Sequence, residues 1–279
     1  MRSPASVNKF RVFTPLEIMA FILSAAVAFI AMFPDNTLTE HVQMEKNTAV
    51  TIKYLNSIVR VNPDNKYKFL LADTCMTAGL YSRALIAVNT IHPENSAVFF
   101  RKDLYSLSIL EKHEDKNAAI VRQVSALKTS ITATLTTAKD PELLALAYTQ
   151  SLQAKAYFAA ALAAGRLSTT AGRNRLYWLG KAAYAHEKNN ELKVSSRLYL
   201  QLALEEPDLW SRRLDFKKSF DILAAAGDYA GIKDALTRHA PAFAGDKHTA
   251  ATMLRYSRMT GDAGLSRRVA IAILNGGAI

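Results

Sequence analysis

The chain has 279 residues, half of them hydrophobic and 21% charged, so a sizeable core is possible and a disordered chain is excluded. Only 11 glycines and 8 prolines are present while alanine and leucine recur throughout, which points to an all-α protein and away from sandwiches and barrels. The single cysteine excludes an intramolecular disulfide and a cysteine metal cluster, and the net charge of +11 leaves nucleic acid, an anionic membrane surface or plain solubility for location to decide.

Residues 1–15 form a basic tail with Arg2, Lys9 and Arg11. Residues 16–33 follow with an apolar run from Ile18 to Phe33, interrupted by Ser24 and ended by Pro34-Asp35. At about 1.5 Å per residue, roughly eighteen helical residues cover most of a ~30 Å hydrocarbon core. Positive charge precedes the run, and Asp35 and Glu40 are the first charges after it. The positive-inside rule therefore predicts a single-pass anchor in a bacterial inner membrane, with the N-terminus cytoplasmic and the bulk periplasmic. The other reading is a cleaved signal peptide with Ala26-Val27-Ala28 at the cleavage site, which leaves the apolar stretch Phe29 to Phe33 at the new terminus. Both readings export the remainder. Beyond the anchor, 32 basic residues against 23 acidic ones are scattered without interleaved stacking aromatics, so no nucleic-acid partner is expected.

Residues 34–48 read as a polar linker, and residues 49–279 as a helical array with room for a break near 111–140. Ala49 to Arg60 spaces Ile52, Leu55, Ile58 and Val59 as a capping half-repeat, ended by the turn Asn62-Pro63-Asp64-Asn65. Asn65 to Ala78 places Phe69, Leu71, Ala72, Cys75 and Met76 on one face. Gly79-Leu80-Tyr81 breaks that helix, Ser82 to Ile91 resumes it with Ala84, Leu85, Val88 and Ile91, and Pro93 stops it. Ser96 to His113 is a strong helix with Phe99, Leu104, Leu107 and Leu110, then a charged loop leads to a helix over Asn117 to Ser130. Thr129 to Thr137 is the one candidate strand and reads better as a weak helix end. Asp140-Pro141 starts the next pair, with helices over 141–151 and 153–165 and a polar connection from Gly165 to Asn174.

The last third is the most periodic. Leu179 and small Ala183 precede a turn at Asn189-Asn190, with small Ser195, Tyr199 and Leu202 beyond it. Further turns fall at Gly227-Asp228 and Gly261-Asp262, with Ser266 after the last, so the turns are 37 and then 34 residues apart. Ile232 replaces the small residue expected beyond Gly227, so that pair should be splayed. This pattern resembles the tetratricopeptide repeat family, whose period is about 34 residues. The resemblance implies a right-handed superhelix of helix pairs with each first helix lining the concave side. Carried onto this chain, the groove would present Lys66, Phe69, Asp73 and Met76, then Tyr177 and Tyr184, then Lys217, Asp221, Arg255 and Arg258. Tyrosine and arginine are common interface anchors, which singles out Tyr184 and Arg255.

Catalytic chemistry is not announced. His41, His92, His113, His186, His239 and His248 are dispersed and form no metal-ligand motif. Glycine-rich phosphate loops and nucleophile elbows are absent, and Glu205-Glu206 and Asp115 read as turn and cap carboxylates. No enzyme activity, metal or cofactor is expected.

A closer resemblance rests on the membrane run ending in Phe33-Pro34, on Tyr54-Leu55, on Val61-Asn62-Pro63-Asp64-Asn65, and on Leu70-Leu71-Ala72, Ala78-Gly79-Leu80-Tyr81 and Ala84-Leu85. These resemble the amino-terminal region of the PelB family, tetratricopeptide outer-membrane proteins of Pel exopolysaccharide export. The family's carboxy-terminal β-barrel has no counterpart here. The resemblance implies a periplasmic scaffold in biofilm exopolysaccharide export that engages a polysaccharide deacetylase and hydrolase of the PelA type, with the outer-membrane pore as a separate polypeptide. Pel-type polymer is partly cationic, and an array with a basic excess would not attract it, so the groove is expected to take a protein. The alternative is a periplasmic chaperone or assembly factor of the envelope. The face from Val269 to Leu274 looks partly uncovered, which leaves room for a partner or a second copy of the chain.

Overall fold

Acidic and amide side chains decide where these helices begin. In the computed structural model the carboxylates of Asp64, Asp140, Asp208, Asp228, Asp246 and Asp262, and the amides of Asn95 and Asn117, each accept a bond from a backbone N–H of the following turn. Such caps satisfy donors that a helix start leaves open and place negative charge at its positive end. Pro141, which lacks an N–H to satisfy, takes the first position after Asp140.

The structure describes residues 48–113, 117–170 and 172–276, together with Met19, Phe21, Leu23 and Ser24. Those four are helical; the rest of the expected anchor, the basic tail and residues 34–47 lie outside the described residues. Among the described residues there is no strand, and no helix is long and apolar enough to cross a membrane.

The described fold is all-α, and the chain divides into two compact units at Ala78 and Gly79. The division falls at the break Gly79-Leu80-Tyr81 that the sequence shows between the helices over Asn65 to Ala78 and Ser82 to Ile91. In the first unit, α1 (Thr48–Val61) packs on α2 (Asn65–Thr77). Ile52 and Leu55 are buried on α1, and Phe69, Leu71, Ala72 and Cys75 on α2.

The second unit runs through α3 (Tyr81–Asn89), α4 (Ser96–Lys112), α5 (Ala118–Thr137), α6 (Pro141–Gln153) and α7 (Tyr157–Thr170). It continues with α8 (Arg175–Lys188), α9 (Leu192–Glu205), α10 (Leu209–Ala225), α11 (Tyr229–Phe243), α12 (Lys247–Met259) and α13 (Ala263–Leu274). From α6 onward the helices pair as hairpins. Each hairpin turns on one residue in the left-handed region: Lys155, Asn190, Gly227 and Gly261, at intervals of 35, 37 and 34 residues. In the first three the next residue sends its N–H back to the carbonyl five positions earlier, Ala156 to Ser151, Glu191 to His186 and Asp228 to Leu223, at 2.8 to 2.9 Å. This closure ties off the carbonyls at the end of each first helix.

Helices two apart also touch: α4 with α6, α5 with α7, α10 with α12 and α11 with α13. These contacts stack α4–α5 on α6–α7 and α10–α11 on α12–α13, and in between α7 packs on α8 and α9 on α10, so that short helices bury apolar faces they could not bury alone. The core of the second unit has two parts. One gathers Phe100, Leu104, Ile131, Leu135 and the alanines of α7; the other gathers Phe216, Phe220, Ile232, Phe243, Met253 and Tyr256.

Several boundaries differ from the sequence expectation. Helix α7 runs to Thr170, so Gly165 lies inside it and the connection shrinks to a few residues around a 3-10 turn at Gly172–Asn174. The stretch Thr129 to Thr137 is helical and completes α5. Phe99 is 39% exposed while Phe100 is buried, a one-residue phase error between adjacent aromatics. On α13, Val269 and Ala272 are buried, whereas Ile271 and Leu274 remain exposed.

Candidate partner-binding face

A shared register organises the exposed side of the first helices. Counting back from the left-handed residue, the positions 13 and 6 earlier hold Glu142 and Thr149 on α6, Tyr177 and Tyr184 on α8, Leu214 and Asp221 on α10, and His248 and Arg255 on α12. All are exposed except Asp221, which is half-buried. A separation of seven residues is two helical turns, so each pair lies on one stripe. The residues 13 and 6 before Gly79, which belong to the first unit, are Lys66 and Asp73, both exposed.

Side-chain contacts join the first helices in order. The Tyr148 ring on α6 meets Trp178 on α8 edge-on at 5.5 Å, and Tyr177 meets the same indole at 5.1 Å. Lys218 on α10 reaches Glu187 on α8 at 2.9 Å. On α12 the Tyr256 hydroxyl donates to Asp221 on α10, and its ring stacks on Phe220 at 5.4 Å.

Two clusters result. Around Asp221, Lys217 donates at 2.7 Å from the next turn of α10 and Arg255 lies close by on α12. Burial raises the Asp221 carboxyl, but the bonds from Lys217 and Tyr256 and the charges of Lys217 and Arg255 outweigh it, so it sits below the usual carboxylate range. Burial and the bond to Asp221 push the Tyr256 hydroxyl up to about 12. The second cluster is aromatic. Burial, then the charges of Glu187, Asp215, Tyr184 and Tyr148, push Tyr199 of α9 up to about 12, and Tyr177 and Tyr184 both act on Tyr148.

Six of the ten expected groove residues are therefore in the second unit, and five of them fall into these clusters: Tyr177 and Tyr184 with Tyr148, and Lys217, Asp221 and Arg255 with Tyr256. Arg258 is exposed one turn beyond Arg255. The other four belong to the first unit. Lys66 lies over the Tyr67 ring at 4.9 Å, Asp73 is exposed and Met76 is half-buried. Phe69 is only 3% exposed, which removes it from the surface residues. It stands ten residues before Gly79, on the flank of the stripe, where a large apolar side chain turns into the core.

Sequence reasoning passed over Trp210 and Leu214, which are 73% and 59% exposed on α10. Leu214 occupies the register position of Tyr177, so extending that register one hairpin further finds it. The cations Lys181 and Lys188 were also passed over. They lie over the rings of Tyr177 and Tyr184 at 5.1 and 5.5 Å.

A cleft beside this face, of about 320 Å³, is lined by Leu209, Arg212, Arg213, Phe243 and Asp246 among others. Its guanidinium groups are already engaged: Arg212 bonds the Ala242 carbonyl at 2.8 Å over the Phe243 ring, and Arg213 makes a two-point ion pair with Asp246. Among the described residues no group of three His, Cys, Asp or Glu side chains is placed to hold a metal ion. Comparison with protein-family models and with curated proteins returns no match.

Proposed function

We propose that this chain is a helical-repeat scaffold whose first helices present one face to a protein partner. The observation that carries the reading is the face itself: Tyr177 and Tyr184 on α8, Leu214 on α10 and Arg255 on α12 stand exposed at equivalent positions, and side-chain contacts join these successive first helices. Tyrosine, tryptophan and arginine held rigid on such a face are what protein interfaces use as anchors.

The finer reading takes the hairpins as tetratricopeptide-like units in a right-handed superhelix. Residues 16–33 anchor the chain in a bacterial inner membrane, residues 1–15 are cytoplasmic and the array stands in the periplasm. The PelB resemblance supports a role in exopolysaccharide export, with a polysaccharide deacetylase or hydrolase as the bound enzyme and a separate outer-membrane pore downstream.

Co-purification of the full-length chain from gently solubilised membranes, followed by mass spectrometry, tests this. One dominant partner at a constant ratio is expected, and the double variant Tyr184→Ala, Arg255→Ala should lose it. A broad set of unfolded envelope proteins, unchanged in the variant, would replace the scaffold with a chaperone.

A further inference from the structure

We infer that the face over α8, α10 and α12 takes an acidic polypeptide segment with an aromatic or aliphatic anchor residue, and that Trp210 and Leu214 receive that anchor. This deepens the protein-binding reading above and rests on it.

The apolar part comes first. Trp210 is 73% exposed, Leu214 one turn later is 59% exposed, and Leu209 beside them is 48% exposed. Large apolar groups clustered in the open mark binding surfaces, and tryptophan is the residue type most often found to dominate an interface. Trp210, Leu214, Lys217 and Asp221 follow one another at four-, three- and four-residue steps, so they share one stripe of α10. The apolar anchor therefore continues directly into the charged cluster.

Charge then selects the partner. The two carboxylates at the helix-to-helix contacts are neutralised, Glu187 by Lys218 at 2.9 Å and Asp221 by Lys217 at 2.7 Å with Tyr256, and Asp208 before the anchor is taken up as the cap of α10, accepting from the Ser211 N–H at 2.8 Å. Lys181, Lys188, Arg255 and Arg258 have no carboxylate at ion-pairing distance among the described residues. Three of these cations rest against tyrosine rings, Lys181 on Tyr177, Lys188 on Tyr184 and Arg255 on Tyr256, at 5.1 to 5.5 Å. A ring positions a cation without cancelling its charge, so part of the ordering entropy is already spent before a carboxylate arrives. The complementary ligand carries carboxylates on both sides of an apolar residue. An anionic bilayer fits less well, because lipid covering this stripe would strip water from the Lys217–Asp221 pair, whereas a polypeptide can replace those hydrogen bonds.

The test uses the purified full-length chain in detergent and an array of synthetic peptides with acidic, neutral or basic backgrounds, each carrying Trp, Leu or Ser at its centre. Acidic peptides with Trp or Leu should bind best, weaken as salt rises, and shift the tryptophan emission to the blue. Trp210→Ala should weaken them at least about tenfold, and so should the charge reversal Lys188→Glu with Arg255→Glu. These residues are exposed, and an unchanged helical circular dichroism spectrum checks that the variants fold. Equal binding of basic peptides, affinity indifferent to Trp210, or no peptide binding alongside capture of phosphatidylglycerol vesicles overturns the proposal. A partner isolated through Tyr184 that docks by a basic or neutral segment overturns it too, while leaving the scaffold function standing.

Discussion

The hairpins α8–α9 and α10–α11 are neighbours built on one plan, and they differ in how closely their helices approach. At the crossing of the first, Ala183 faces Ser195, and the serine hydroxyl donates to the Ala183 carbonyl at 2.8 Å. At the equivalent positions of the second, seven residues before and five after the turn, stand Phe220 and Ile232, both wholly buried in one cluster. The backbones of α8 and α9 run close together, whereas α10 and α11 approach closely at fewer positions. The size of one residue pair thus sets the spacing of a hairpin. The wider hairpin fills its gap with rings: Phe216 lies 4.8 Å from Phe220 and 4.4 Å from Phe243. That filling also brings Tyr256 under Asp221, which positions one half of the proposed binding face.

Breaking each crossing in its own way should give different costs. Phe220→Ala removes the central ring of the wide hairpin and should lower stability by about 3–5 kcal/mol, read by urea unfolding. It should also loosen Tyr256 and weaken partner binding. Ser195→Leu forces a large side chain into the narrow crossing and removes its hydrogen bond; about 1–3 kcal/mol is expected from overpacking. The same change at Ile232, to Leu, should cost less than about 1.5 kcal/mol because the space already exists.

The turns sharpen the contrast further. Gly227→Ala places a Cβ on a residue with φ of +65° and should cost about 1 kcal/mol, whereas Asn190→Gly, at φ of +61°, relieves strain and should change stability by a few tenths. Thermal unfolding of the two variants side by side measures this.

Two aspartates around α10 respond to pH in opposite directions. Arg213 and the Thr249 backbone and side chain, against the opposing effect of burial, hold Asp246 well below the usual carboxylate range. Its contribution is present above the ordinary value near 3.8 and is lost as pH falls below it. Burial, with Glu206 second, pushes Asp215 up to about 6 from an ordinary 3.8. Between those values the folded chain holds a proton that the unfolded chain has released, so stability falls as pH rises through this window. Asp215→Asn should flatten that decline, while Asp246→Asn should flatten the loss below pH 4. Chemical unfolding from pH 3 to pH 7 checks both, and identical profiles for all three proteins would contradict the assignment.

The regular third of the chain was legible because its turns use residues that tolerate a left-handed backbone. Gly227, Gly261 and Asn190 announce themselves, and the splay at Ile232 follows from its size. Lys155 does not announce itself. A lysine disfavours φ of +58°, and only the closing bond from Ala156 to Ser151 explains why the chain turns there. The face was legible where tyrosine or arginine marked the register and illegible at Leu214 and at Trp210 one turn before it, since exposed apolar residues read as core in a sequence. Phe69 shows the converse, because its spacing fits both a buried face and the edge of a groove.

Site-specific photo-cross-linking in living cells tests the central claim most directly. A cross-linking residue placed at Tyr184 or Leu214 on the first helices is compared with one at Arg197 on α9 or Arg267 on α13, all exposed. The account predicts one adduct of the same mass from both first-helix positions and none from the second helices. Equal labelling from both sets, or adducts from the second helices alone, would contradict it.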